Sequence, residues 1–204
     1  EEVEEVKRVA AGGGWVLVRD VEGVKISTKA EGSVTLVMGV GVVDAPVAEV
    51  LAYLRDVRDH PKGLDTTNIG HKRVDKVDEM HSVWHSSYKM PWPMDARDCV
   101  WMSFDYLDPA TGEGFSLGRS VKHPKAPEQR GHVRVDMLHC GCTLQPCRAS
   151  GGGAGTRVTF LAQGDAKASV PSWAVSNATA NQAMRVVRVK QHFESRRGEL
   201  RAKA

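Results

Sequence analysis

His81 and His85 stand four residues apart in HSVWHSSYK, and on a helix that spacing turns two imidazoles toward one metal ion. The alternating polar and apolar residues around them predict a strand instead, which holds the same two rings ~13 Å apart. No metal is expected there. His139, Cys140, Cys142 and Cys147 crowd more closely. A structural zinc site draws on paired thiolates in C-x-x-C units, and C-x-C-x4-C supplies neither the pairing nor a second half. Buried or surface thiols are the expectation. Arg97 and Asp98 are adjacent, so an extended backbone sends them to opposite faces and neither is the other's partner. GGGAG, within Ser150–Gly155, has no helix behind it to hold a phosphate and is expected to be a connector. Nowhere does the chain carry G-x-S-x-G, a P-loop, G-x-G-x-x-G ahead of a helix, or H-E-x-x-H. No covalent chemistry and no cofactor are expected.

The 204 residues suit one domain with a core of its own, without help from disulfides or metals. Twenty-eight Lys and Arg against 25 Asp and Glu leave a net charge of +3, too mild to mark a nucleic-acid partner. Four cysteines are too few for a secreted disulfide scaffold and point to a reducing, cytoplasmic compartment. No run approaches the ~20 apolar residues of a membrane span. The chain opens on Glu1 rather than Met, as expected of a domain cut from a longer protein.

The elements follow from periodicity. EEVEEVKRVA predicts a short helix stopped by Gly12–Gly14, acidic at its start and basic at its end. WVLVRD and VKIST flank Glu22-Gly23 as a hairpin, and Ser33–Val43 is a third strand whose two glycines allow bending. Val47, Val50, Leu51 and Leu54 fall at helical spacing behind Pro46. About six strands then run from His71 to Asp165. After Pro171 a helix of roughly 25 residues or more places Trp173, Ala180, Met184 and Val187 on one stripe, with Val186, Val189 and Phe193 beside it. Its many Lys and Arg either draw it to an anionic membrane, at ~1 kcal/mol each, or form a solvated face. Short turns between consecutive strands predict an α+β fold with one bent antiparallel sheet.

Three segments in this order resemble the START domain, the lipid-transfer module related to steroidogenic acute regulatory protein. They are PKGLD (Pro61–Asp65), the proline-flanked MPWPMDARDCVW (Met90–Trp101) and GDAKASVPSW (Gly164–Trp173). YKMPWPMDARDCVW is most similar to the phosphatidylcholine-transfer type. Leu64 stands where the family has Trp, Pro61 where phosphatidylcholine-transfer members have Arg, and Ala168 where Gly is usual. The sterol-binding acid–base pair maps onto Trp84 and Ser103 and is therefore missing at those positions.

The resemblance implies one domain over residues 1–204 with a helix-grip fold: about nine strands wrapped around the long C-terminal helix, enclosing a lipid tunnel. By the family's cavity-facing parity, Trp84, Tyr88, Cys99, Trp101 and Ser103 line an apolar wall with a few hydroxyls, unless the space is a packed core. Arg97 either meets a headgroup or fixes its loop, and Trp173, Asn177 and Met184 face the lipid from the helix. Met90, Trp92 and Met94 form a gate at the membrane, where Trp favours the headgroup level; alternatively Trp92 caps the edge of the core. The implied partners are one lipid, phospholipid rather than sterol, and a transient membrane surface. The implied protein is monomeric, and cytoplasmic or peripheral at membranes. Two alternatives follow from the same fold: a lipid-sensing module of a larger protein, and a cyclase- or aromatase-like enzyme, which needs a lumenal carboxylate–His pair.

Overall fold

The computed structural model describes residues 1–32, 34–59, 67–149, 151–165 and 172–202, without the side chains at 57, 59, 164, 172–181 and 200–202. Pro61–Asp65 and Ala168 lie outside the described residues, as do the side chains of Trp173 and Asn177.

The elements are α1 (Glu2–Ala11), β1 (Val16–Val21), β2 (Val24–Glu31), β3 (Val34–Val43), α2 (Val47–Asp59), β4 (Asn68–Lys76), β5 (His81–Tyr88), β6 (Ala96–Leu107), β7 (Gly114–Ser120), β8 (His132–Arg134), β9 (Asp136–Arg148), β10 (Ala154–Asp165) and α3 (Ser172–Ala202). Nine strands form one open path, β1-β2-β3-β10-β9-β7-β6-β5-β4, with every neighbour antiparallel. The tenth, β8, pairs in parallel with the start of β6. With β8 and β9 the chain forms seven strands after α2 where about six were expected, and the backbone explains the break between these two. β7 ends at Ser120 opposite Trp101, leaving one edge of Ala96–Asp98 without a ladder. β8 fills that edge, and the Val135 amide donates to the Asp98 carbonyl at 2.8 Å, so the buried backbone groups are paired.

One face of the sheet carries the main core. Val47, Val50, Leu51 and Leu54 of α2 pack with Val24, Ile26, Leu144, Val158, Phe160 and the α3 residues Ala183, Val186, Val187, Val189 and Phe193. The apolar stripes predicted for both helices are thus the buried ones wherever side chains are described. The glycines of β3 serve that contact directly. A Cβ on Gly39 would lie 3.1 Å from the Ala183 carbonyl, and one on Gly41 would lie 2.8 Å from Val24 and 3.3 Å from Val186. Bare backbone there lets α3 lie close against the sheet. The other face is covered by α1, whose Val3, Val6 and Val9 meet Phe115, Leu117 and Leu161. Beside α1, the 121–135 segment lays Val121 and Ala126 on Val83 and Val100.

Candidate functional site

Strand alternation brings Arg97, Cys99, Trp101, Ser103 and Asp105 of β6 onto the face that α2 and α3 cover. Trp84, Ser86 and Tyr88 of β5 stand across from them, with Trp84 opposite Trp101 and Tyr88 opposite Arg97. Between this wall and the two helices is a cavity of about 90 Å³, lined among others by Leu54, Arg58, His71, Tyr88, Trp101 and Arg185. That volume lies well below the ~300–1,000 Å³ of pockets enclosing drug-sized ligands.

The hydroxyls on this wall are engaged by its indoles. His71 stacks on Trp84 at 4.8 Å between ring centroids, and Trp84 lies 6.3 Å from Trp101. The Trp84 indole donates to Ser103 Oγ at 3.2 Å, and the Trp101 indole donates to Ser86 Oγ at 2.9 Å, which also sits 2.8 Å from His71 Nδ1. Aromatic faces and hydroxyls therefore form one interlocked cluster. The hydroxyls are there because a buried indole N–H must find an acceptor.

Below the cluster lies an acid–base pair. Arg58, near the end of α2, makes a two-pronged ion pair with Asp105, with Nη2 donating to Oδ1 at 2.8 Å and to Ser116 Oγ at 2.6 Å. The Arg58 guanidinium also lies 5.8 Å from the Trp101 ring centroid. Both side chains are largely buried, at 11% and 8% exposure, a setting in which removing one partner is far costlier than replacing both. Sequence reading maps the family's sterol-binding pair onto Trp84 and Ser103 and finds none there; Arg58–Asp105 is an ion pair at other positions, built from α2 and the far end of β6. The signal was available: Asp105 continues the cavity-facing parity of residues 97, 99, 101 and 103.

Arg97 is buried, and its Nη1 donates to the Asp95 carbonyl at 2.6 Å, while its Nε has no partner among the described residues. Asp98 faces the opposite way, as adjacency requires. It accepts from His85 Nε2 at 2.7 Å and from Arg134 at 3.0 and 2.9 Å. Burial pushes the Asp98 carboxyl up, but the Arg134 and His85 hydrogen bonds outweigh it and hold the group below its usual value. The carboxylate–imidazole pair thus lies under the 121–135 segment, on the sheet face away from the cavity. His81 pairs locally with Asp78 at 2.9 Å. Burial drives the Cys99 and Cys142 thiols up to about 12, so both stay neutral and unreactive. Among the described residues no three His, Cys, Asp or Glu side chains converge on a metal position.

At the edge of the wall, Met90 and Met94 are half-buried, and Trp92, followed by a cis Trp92–Pro93 bond, is 92% exposed. Trp92 therefore does not cap the core. Met184 is partly buried against the main core beside Ala183. No helix of the described residues is long and apolar enough to cross a membrane.

The START domain profile matches residues 1–197. START domain-containing protein 10 of mouse and of human is 28% identical over 136 residues, 67% of this chain and 44% of the relative. The chain thus spans under half the length of the curated relatives it matches. Among solved structures it is similar to human StAR-related lipid transfer protein 5, with a TM-score of 0.77 at 19% identity over 95% of this chain and 93% of the other. It is also similar to the lipid transfer and protein localization domain of human StarD13, with a TM-score of 0.72 at 22% identity over 94% and 95%. At these identities the likeness is one of fold.

Proposed function

This chain belongs to the START domain family of lipid-binding and lipid-transfer modules, and from that premise we propose that it encloses one hydrophobic lipid between the curved sheet and α3, without a covalent step. The observation that carries the reading is that the sheet and the two helices leave a recess between them, lined by Trp101 of the wall, Leu54 and Arg58 of α2 and Arg185 of α3. At about 90 Å³ that space is too small for an acyl chain. Lipid entry therefore has to part α3 from the wall and loosen the indole–serine cluster. The lost protein contacts are offset by burying lipid methylenes at ~0.8 kcal/mol each.

Arg97 supports a ligand with an acceptor oxygen, because a buried guanidinium N–H with no partner among the described residues is stabilised when a phosphate or carbonyl oxygen reaches it. Phospholipid is favoured over sterol on that ground. The exposed Trp92 in its proline-flanked turn supports the gate, since an indole in water gains by entering the headgroup layer. A lumenal carboxylate–His pair would favour cyclase- or aromatase-type chemistry, but the His85–Asp98 pair sits on the other sheet face. Native mass spectrometry of the chain after incubation with mixed liposomes tests the reading. One lipid per chain, extractable as phospholipid, is the expected result; a bare chain with its fold intact would overturn it.

A further inference from the structure

Across the face of the sheet turned away from the lipid cavity, three neighbouring strands bring Arg119, His139 and Gln163 into one row. Gln163 stands opposite His139 in the β9–β10 ladder. Gly118 stands opposite Cys140 in the β7–β9 ladder, so the next step of the same register carries Arg119 toward His139. The row floors a groove of about 410 Å³ walled by Glu5, Arg8 and Val9 of α1 with Gly12 just beyond it on one side and by Lys29 and Glu31 of β2 on another.

The charges of the walls neutralise each other. Arg8 grips Glu5 at 2.9 and 2.5 Å, and Lys29 pairs with Glu31 at 2.7 Å. The floor is different. Arg119 is exposed, and no hydrogen bond or ion pair joins it or the Gln163 amide to another described residue. His139 Nδ1 is buried and likewise without a partner among the described residues. One uncompensated guanidinium and one carboxamide therefore offer their hydrogen-bonding capacity to the same recess, beside the His139 ring whose Nδ1 is buried beneath it. A guanidinium alone satisfies a flat carboxylate. A tetrahedral oxyanion has a further oxygen, which the Gln163 amide is placed to meet. The recess falls within the ~300–1,000 Å³ range of small-molecule sites, large enough for more than a bare ion, and Glu5 and Glu31 offer acceptors to hydroxyl groups on the remainder of such a molecule.

We propose that this groove is a second binding site, separate from the lipid cavity, for a small hydroxylated molecule carrying a phosphomonoester. The phosphate sits on Arg119 and Gln163, beside the His139 ring, and the hydroxyls lie toward Glu5 and Glu31. The same chemistry is offered by a free sugar phosphate and by a phosphorylated inositol headgroup, and the test separates the two sources. Amide chemical shifts of the full chain are followed on adding glucose 6-phosphate, inorganic phosphate, glucose, or phosphatidylcholine vesicles with and without phosphatidylinositol phosphate. The Arg119, His139 and Gln163 amides are expected to move with glucose 6-phosphate and not with glucose, and Arg119→Ala is expected to weaken the response about tenfold or more. A response confined to the phosphoinositide vesicles would support the site with a headgroup as its occupant. No movement of these amides with any phosphate-bearing probe up to about 10 mM, or undiminished binding by Arg119→Ala, would overturn it. Lipid loading of the cavity stays unchanged in Arg119→Ala, so failure here and failure of the lipid reading are told apart.

Discussion

Asp98 shows how much one side chain can hold in place. It is fully buried on β6, yet it joins β5 through His85 and the covering segment through Arg134, whose Nη2 also donates to the Pro127 carbonyl at 3.0 Å. Its carboxyl is held below the ordinary value of 3.8 in the folded chain. The unfolded chain therefore binds a proton that the folded chain refuses. The stabilisation is fully present above about pH 4 and is lost as pH falls through the lower folded value. Urea midpoints measured from about pH 6 down to pH 3 should fall for the native chain, and the fall should be shallower for Asp98→Asn, which cannot titrate. Parallel curves would remove Asp98 as the acid-sensitive group. The sequence shows that Arg97 and Asp98 part company, because strand alternation demands it, but not that His85 and Arg134 meet Asp98. Arg134 reaches it from 36 positions away through a parallel β8 pairing that no periodicity announces.

Among the elements, the proposed gate is the 90–95 turn between β5 and β6. The Met94 amide closes on the Pro91 carbonyl at 3.0 Å, leaving Trp92 outside with 92% of its surface exposed. Trp92→Ala is expected to slow liposome-to-liposome transfer several-fold while the melting temperature stays nearly unchanged, because an exposed side chain contributes little to folding. Transfer at the native rate would remove the gate. The turn itself is legible from two prolines flanking a tryptophan, and the buried stripes of α2 and α3 are legible from their spacing. The β3 glycines are legible only in part: they allow bending, but the close seat of α3 on Gly39 and Gly41 depends on a helix more than 130 residues further along the chain. Gly141 carries no sequence signal at all. Its φ is +147°, and a Cβ there would lie 2.2 Å from the Ser116 carbonyl, so only glycine lets β9 pass β7 at that point.

The whole molecule is an open sheet with unlike business on its two faces. One face, shared with α2 and α3, carries a polar–aromatic wall and a neutralised Arg58–Asp105 pair. The other carries the Asp98 cluster and the Arg119 groove. The element order apart from β8 is legible in sequence, and the faces of the wall follow from strand alternation together with the START resemblance, whereas the pairing of each wall serine with an indole is not, because it joins residues of two different strands. A lipid bound as proposed lies inside, against the first face, and not on the surface. Paramagnetic broadening by a phospholipid spin-labelled at mid-chain tests this most directly, with the indole N–H signals of Trp84 and Trp101 reporting from the wall and that of Trp15 from beneath α1 on the outer face. Loading with the labelled lipid should broaden the Trp84 and Trp101 signals and leave the Trp15 signal sharp. Broadening of Trp15 with Trp84 and Trp101 untouched would contradict the account.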